Sequence, residues 1–226
     1  MSLKTRIVLR FTVGLPLVLL LLFLPAGSWR FWQGWTFLAV TFIPGVLTFI
    51  YFYRRDPKVV ERRLQSREKI GEQQGIVRSL KLVAFLAFLL PGLDYRFGWS
   101  RSVLEPMPLW LMVVAHTAIL GAFLMVVWVM AVNRFASRTI QVEANQPVIS
   151  SGPYHIVRHP MYAASLIMWL AIPLALGSYV ALPVFVLMIP VYVLRLLNEE
   201  KVLRRDLSGY SEYCVTTPFR LVPHVW

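Results

Sequence analysis

The sequence predicts an all-α fold: a polytopic transmembrane helical bundle of about six helices that ends in a helical hairpin. Of the 226 residues, 58% are apolar and only 15% are charged, which is not the composition of an ordinary soluble domain. Apolar runs long enough to cross a bilayer as a helix recur along the chain. These runs are continuous rather than alternating, which favours helices over the strands of a membrane barrel.

Six apolar runs are the candidate membrane-spanning helices. They cover residues 7–24, 35–53, 76–93, 109–132, 161–176 and 180–197. A charged loop, 54–75, separates the second run from the third and is expected to contain a short amphipathic helix. Only residues 177–179 separate the last two runs, which are therefore expected to form an antiparallel hairpin. Residues 1–132 are interpreted as a transmembrane scaffold and residues 133–226 as the region that carries the chemistry.

The basic residues predict the orientation of the bundle. An even number of crossings places both termini on one side, together with the segments 54–75 and 133–160. With the residues near the adjoining ends of the apolar runs (Arg10, Arg78, Lys81 and Arg195), 20 of the 23 Lys and Arg residues then belong to that side. Because cytosolic segments carry the excess of Lys and Arg, both termini are expected in the cytosol, at a bacterial inner membrane or the endoplasmic reticulum. Contact with anionic membrane lipids explains the net charge of +12, so no nucleic-acid partner is expected.

Metal and hydrolase chemistry have little support in the sequence. Cys214 is the single cysteine, which excludes disulfides and thiolate metal clusters. His155 and His159 have the spacing of a zinc pair, but Pro160 is expected to start a helix after them, so no metal site is expected. No Gly-x-Ser-x-Gly motif or pair of intramembrane aspartates occurs. His116, inside the fourth run, is interpreted as a structural residue that bonds to a neighbouring helix rather than facing a cavity.

Two short motifs place polar groups at the membrane boundary. In "RHPMY", Pro160 suits the first turn of a helix, so Arg158 stands beside a helix N-terminus that is expected to attract a carboxylate or phosphate. In "RLLNEE", Arg195 and Glu199 are four residues apart and project from one helical face. The hairpin should bring Arg158 and His159 level with this pair. An ion pair that merely caps the membrane segment is an equal alternative to a functional role.

The combination of "GPYHIVRHPMY", a helical hairpin, "EE" and "LSGYSEYCVTTPFRLVPHVW" resembles the isoprenylcysteine carboxyl methyltransferase family over about residues 133–226. The pattern recurs in phospholipid N-methyltransferases and, more loosely, in membrane sterol reductases. The resemblance implies an enzyme that uses S-adenosyl-L-methionine at the cytosolic face and methylates a lipophilic small molecule or prenylated acceptor from the bilayer. The implied catalytic residues are Arg195, near the acceptor carboxylate, and Glu199. The implied cofactor contacts are Gln141, Gln146, Pro147, Val148, Ile149, Tyr154, His159, Pro160, Met161, Tyr162, Glu199 and Glu200.

The resemblance implies carboxyl O-methylation of an isoprenylcysteine-like acceptor, and several alternatives stay open. A carboxylate attacks the sulfonium methyl without a general base, and the guanidinium of Arg195 can orient it. An amine acceptor, such as a phosphatidylethanolamine head group, first has to lose a proton to Glu200, His155 or water. An NADPH-dependent sterol-type reductase is another alternative, although Glu199 and Glu200 disfavour the extra phosphate of NADPH. A non-catalytic lipid-binding scaffold is a third class.

Overall fold

The computed structural model describes residues 2–64, 71–137, 139–140, 142–143 and 145–226, without the side chains of 71–73. The sequence-predicted contact Gln141 lies outside the described residues. Within them the chain is helical and contains no strand, which confirms the predicted fold class. The helices are α1 (Leu3–Ala26), α2 (Trp32–Arg55), α3 (Pro57–Leu64), α4 (Gly71–Phe97), α5 (Trp99–Val103), α6 (Leu109–Val132), α7 (Pro160–Ala175), α8 (Leu182–Val186), α9 (Met188–Asp206) and α10 (Tyr210–Thr216), with a 3-10 turn at Gly152–His155.

Five stretches of the described chain are long and apolar enough to cross a membrane. They are Leu3–Ala26, Trp32–Arg55, Gln74–Phe97, Leu109–Val132 and Leu182–Asp206. The fifth predicted run, 161–176, forms α7, which has 16 residues and is therefore about 24 Å long, shorter than the other five. The loop 54–75 contains the predicted short helix, α3, whose Val59, Val60 and Leu64 are buried.

The predicted hairpin is formed by α7 followed by α8 and α9. Near the start of α7, Tyr162 bonds to Glu199 of α9. Beyond its end, Ser178 bonds to Asp94, close to the end of α4. The helix therefore runs from one end of the bundle to the other. The returning stretch is interrupted between α8 and α9, because Pro190 has no N–H to donate to the carbonyl four residues earlier.

The end of the bundle that carries Asp94 is tightly packed, and we call it the closed end. Asp94 is 4% exposed and accepts hydrogen bonds from Ser100 N at 2.7 Å and from the hydroxyls of Ser100 and Ser178. The Ser100 hydroxyl in turn accepts from the backbone N–H of Tyr179 at 2.9 Å. One buried carboxylate thus ties the α4–α5 turn to the α7–α8 turn.

The opposite end, which we call the open end, collects the N-terminus, α3, segment 133–160 and the C-terminal residues. Arg6 of α1 donates to Glu61 of α3 at 2.7 Å. Arg62 of α3 forms a bidentate contact with Glu143, with N–O distances of 2.6 and 2.8 Å. Arg158 N–H donates to the carbonyl of residue 219. The described parts of the basic segments therefore meet at one end of the molecule.

His116 bonds within its own helix. Its Nδ1 lies 2.7 Å from the carbonyl oxygen of Met112, one turn earlier in α6. Its side chain does not line the large cavity described below. The structural interpretation of His116 therefore agrees with the geometry, but the partner expected on a neighbouring helix is wrong.

Candidate active site

The open end contains a cavity of about 810 Å³, within the usual range for small-molecule sites. Two groups of its lining residues differ in polarity. The first group forms what we call the polar chamber: Asn133, Gln146, Tyr154, His159, Tyr162, Arg195, Glu199, Tyr210 and Tyr213. The second group, on α1, α2 and α6, forms what we call the apolar limb: Phe11, Gly14, Val18, Phe42, Gly45, Phe49 and Phe123.

Most of the residues singled out in the sequence line this one cavity. They come from the segment before the 3-10 turn, from the start of α7 and from α9, which are far apart in the chain. Glu200 is not among the lining residues. Those that do line the cavity are Gln146, Pro147, Val148, Ile149, Tyr154, His159, Pro160, Met161, Tyr162, Arg195 and Glu199.

Tyr162 and Glu199 join the two arms of the hairpin inside the polar chamber. The Tyr162 hydroxyl donates to Glu199 Oε2 at 2.5 Å. α7 starts at Pro160, as expected, because proline suits the first helical position, and this start presents Tyr162 to α9. Arg195, one turn before Glu199, is 7% exposed and lines the same cavity. The structure therefore puts a carboxylate, a guanidinium and a phenol around one space.

Glu200, the neighbour of Glu199, is held by basic side chains instead. Its Oε1 forms an ion pair with Arg158 Nη1 at 2.9 Å and lies 3.2 Å from His159 Nε2, while Oε2 accepts from Arg220 Nε at 3.1 Å. Glu200 and Arg158 are both almost fully buried. The α7 tip was expected to attract an anion, and in the structure Glu200 takes that place. Its contacts make it a structural link between α7, α9 and the C-terminal residues.

Three residues of the polar chamber were missed by the sequence analysis. Asn133 donates to the Tyr154 hydroxyl at 2.8 Å, and the Tyr213 hydroxyl donates to the Tyr154 carbonyl at 2.7 Å. Tyr210 places its hydroxyl 3.5 Å from His159 Nε2. Tyr210 and Tyr213 are three residues apart in α10 and so share a helical face. The spacing of the two tyrosines in "GYSEYC" could have predicted that they share a face.

Burial keeps the chamber tyrosines protonated. It raises the pKa of Tyr154 to about 12, because the charged phenolate is disfavoured away from water. The pKa values of Tyr210 and Tyr213 are raised well above the ordinary phenol value for the same reason. At neutral pH these side chains are therefore neutral donors with apolar ring faces.

The described residues of segment 133–149 lie along one side of the chamber and are clamped to α3. Besides pairing with Glu143, Arg62 Nη1 donates to the carbonyl of Arg134 at 2.9 Å, and its guanidinium lies 5.1 Å from the centre of the Phe135 ring. The side-chain oxygen of Gln146 accepts from Glu143 N at 3.0 Å. These contacts hold residues 146–149 against the cavity.

A metal centre has no donor set in the part of the chain that the structure describes. There, no three His, Cys, Asp or Glu side chains come close enough together to hold an ion. His155 lies in the 3-10 turn and does not line the cavity. Cys214 is partly buried and accepts from Arg158 Nη1 at 3.1 Å.

A family match covers much of the part of the chain that builds this site. Residues 110–208 match the sequence model of a family described as phospholipid methyltransferase, which extends from α6 to the end of α9. The Delta(14)-sterol reductase TM7SF2 of Mus musculus is 33% identical over 94 residues, which cover 39% of this chain and 22% of that protein. The chain therefore spans about a fifth of the curated relative that it matches. Helices α6 to α9 are thus similar to a phospholipid methyltransferase family, and 94 residues of the chain are similar to part of a sterol reductase.

Proposed function

We propose that this protein is an integral membrane methyltransferase that uses S-adenosyl-L-methionine and acts on a lipophilic acceptor. The proposed reaction is carboxyl O-methylation of an isoprenylcysteine-like group. The observation that carries the proposal is the single cavity in which Tyr162, Arg195 and Glu199 adjoin an apolar limb. A polar cofactor and an apolar acceptor can meet there, and the match to the phospholipid methyltransferase family supports methyl transfer as the chemistry.

The residues of the polar chamber fit this cofactor. Glu199 offers a carboxylate to a positively charged amino group, and the hydroxyls of Tyr154 and Tyr210 are neutral donors at physiological pH. The ring faces of these tyrosines suit a cation such as a sulfonium. When bound, S-adenosyl-L-methionine supplies a methyl group on a positively charged sulfur. The protein's task is then to align the acceptor and to exclude water.

Arg195 is the residue proposed to orient the acceptor. A guanidinium binds a carboxylate through two parallel hydrogen bonds, which fixes the direction of one oxygen. Arg195 is almost fully buried and lies one turn from Glu199 on α9, so the acceptor carboxylate would be held beside the cofactor contact. A carboxylate is already an anion at neutral pH and needs no base.

A second candidate is N-methylation of a phospholipid head group, which the family match favours. An amine must lose a proton before it attacks. Of the bases considered, Glu200 already contacts three basic side chains, and His155 lies outside the cavity lining. Of Glu200, His155 and water, water then remains to accept the proton of the amine. The geometry therefore favours the carboxylate acceptor. We also propose that the open end and both termini face the cytosol.

The test uses detergent-purified protein with methyl-labelled S-adenosyl-L-methionine, a farnesylcysteine analogue and extracted phospholipids. We expect S-adenosyl-L-methionine, and not NADPH, to raise the unfolding temperature. We expect label in the prenylcysteine analogue that mild alkali releases, because a methyl ester hydrolyses and a methylated amine does not. Alkali-stable label in phospholipid would favour the second candidate. Stabilisation by NADPH alone would indicate a reductase, and neither binding nor transfer would indicate a scaffold.

A further inference from the structure

Besides Arg195, two basic side chains of the cavity wall lie within candidate membrane-spanning helices. Arg10 belongs to the span Leu3–Ala26, and Lys81 belongs to the span Gln74–Phe97. Both line the cavity, and among the described residues neither forms an ion pair with a carboxylate. A charge within an apolar span is costly unless it faces a partner or a cavity. Their position points to a ligand of opposite charge.

The packing of α1 against α4 brings Arg10 and Lys81 to a similar height. The two helices touch where Gly92 meets the backbone of Leu22 and Ala26. Lys81 lies 11 residues before Gly92, and Arg10 lies 14 residues before the midpoint of Leu22 and Ala26. At 1.5 Å per residue, the two positions therefore differ in height along the helices by about 4.5 Å. Side chains of this length can therefore reach one anionic group. Arg10 Nη2 also donates to the Leu64 carbonyl at 2.7 Å, which fixes the guanidinium beside the end of α3.

The apolar limb continues from these cations toward the lipid-facing surface. A separate apolar groove of about 310 Å³ lies between α1 and α2, and it shares Phe11 and Phe42 with the cavity. Ile43 and Leu47, which also line the groove, are each 60% exposed. Gly45 lines the limb, and a Cβ there would meet open space. An amphiphile with an anionic head and an apolar chain matches this arrangement.

We propose that Arg10 and Lys81 form a binding site for the phosphate of an acidic membrane phospholipid, whose acyl chain lies in the apolar limb. Two cations exceed the single negative charge of a phosphodiester. A head group with a net negative charge therefore binds better than phosphatidylcholine, whose quaternary ammonium these cations repel. The phosphate site is separate from Arg195 and needs no cofactor, so it can be tested without methyl transfer. Its acyl chain would occupy the limb that the proposed function gives to the acceptor, so the two ligands should compete for that space.

The test is thermal unfolding of the full chain in detergent, without cofactor, during titration with single-chain lipids of one acyl length. We expect a saturable rise in unfolding temperature with lysophosphatidylglycerol. Lysophosphatidylcholine and a monoacylglycerol should give a clearly smaller rise. Inorganic phosphate is added as a separate arm and should give none, because it cannot fill the limb. Equal effects of lysophosphatidylglycerol and lysophosphatidylcholine, or of phosphate and the lysolipid, would overturn the proposal.

Matched variants distinguish binding at this site from the general attraction of basic residues to lipid head groups. Lys81→Gln should weaken lysophosphatidylglycerol binding about fivefold, which corresponds to one cation near an anionic lipid. Arg78→Gln is the control, because Arg78 lies in the same span but does not line the cavity. Arg10→Gln should act like Lys81→Gln. Among the described residues, the Lys81 side chain forms no hydrogen bond or ion pair, so Lys81→Gln is the deciding variant if Arg10→Gln fails to fold. Equal weakening by Arg78→Gln and Lys81→Gln, or none by Lys81→Gln, would contradict the site.

The acyl chain is tested by filling the limb. Gly45→Leu places a side chain in the space that the chain would occupy and should abolish lysophosphatidylglycerol binding with both cations intact. Gly121→Leu is the matched control: Gly121 is also within a membrane-spanning helix and has open space around its Cβ position, but it does not line the cavity. Unchanged binding by Gly45→Leu would show that the lipid chain lies elsewhere.

Discussion

The two ends of the bundle bury carboxylates in different ways. At the closed end, Asp94 is surrounded by hydroxyl and backbone donors from two turns, and no large cavity adjoins it among the described residues. At the open end, Glu200 is surrounded by three basic side chains, and a cavity begins at the next residue, Glu199. The closed end therefore holds the helices together, and the open end combines that task with space for ligands.

Glu199 and Glu200 show the difference within one helix turn. Glu200 points toward the α7 tip and the C-terminal residues, where Arg158, His159 and Arg220 use both of its oxygens. Glu199 points into the polar chamber, where Tyr162 donates to one oxygen. Adjacent carboxylates can thus divide into a structural and a ligand-facing role. Substitutions that affect stability and activity separately test this division.

The largest expected effect is on stability, from Glu200→Gln. The substitution removes the negative charge beside Arg158, whose side chain is 5% exposed. A buried charge that loses its partner typically costs about 3–5 kcal/mol of the free energy of unfolding. Asp206→Asn is the control, because Asp206 pairs with the exposed Arg205 and should change stability by less than about 0.5 kcal/mol. Chemical unfolding in detergent measures both, and similar losses would contradict the structural role of Glu200.

The second effect is on activity, from Glu199→Gln. We expect methyl transfer to fall about 100-fold, because loss of the carboxylate misplaces the cofactor relative to the acceptor. Stability should change little, since Tyr162 can donate to the amide oxygen instead. Initial rates with labelled cofactor, measured beside the unfolding temperature, check both. A variant that unfolds readily, or one that keeps full activity, would contradict the assignment of Glu199 to the ligand-facing role.

The third effect tests the packing of the closed end. A Cβ on Gly92 would overlap the Leu22 carbonyl oxygen where α4 meets α1. Gly92→Ala should therefore cost about 1–3 kcal/mol of stability, as overpacking does, while leaving cofactor-induced stabilisation unchanged. Gly121→Ala should stabilise slightly, because alanine is the better helix former and nothing lies within 4 Å of its Cβ position. If Gly92→Ala were neutral, the helices would have room to separate at this end.

Much of the fold could be predicted because the bilayer imposes length and polarity on each span. The run Leu109–Val132 was predicted to the residue, and Pro160 correctly marked the start of α7. α7 is shorter than the other spans, since it begins within the polar network around Glu200. Hydropathy indicates how apolar a run is. It does not indicate where contacts with charged residues elsewhere in the chain end the helix.

The division of roles at the site could not be predicted from the sequence. Whether Glu199 or Glu200 faces the cavity depends on Arg158 and Arg220, which lie in segments about 40 and 20 residues away. Tyr210 reaches the chamber only because α10 folds back against α9 and the 3-10 turn. Local spacing placed Arg195 and Glu199 on one face, but long-range packing decides which polar groups already have partners.

The smallest effect concerns the clamp between Arg62 and Glu143, which holds segment 133–149 at the open end. The hydrogen bond from Arg62 lowers the pKa of the Glu143 carboxyl. The pair therefore contributes its stability above the ordinary carboxyl pKa and loses it as the pH falls through the lowered pKa. Because both side chains are partly exposed, the contribution should be about 0.2–1 kcal/mol.

Glu143→Gln should therefore loosen this segment at neutral pH without unfolding the bundle. Hydrogen exchange around Phe135 is expected to rise by up to about fivefold, with global stability unchanged. Below the lowered pKa, wild type and variant should exchange alike, because protonation has already removed the charge. A difference that persists in acid would mean that the charge is not what holds the segment. No closed-end substitution is expected to change this exchange, because the contacts of Arg62 and Gln146 that hold the described part of the segment lie at the open end.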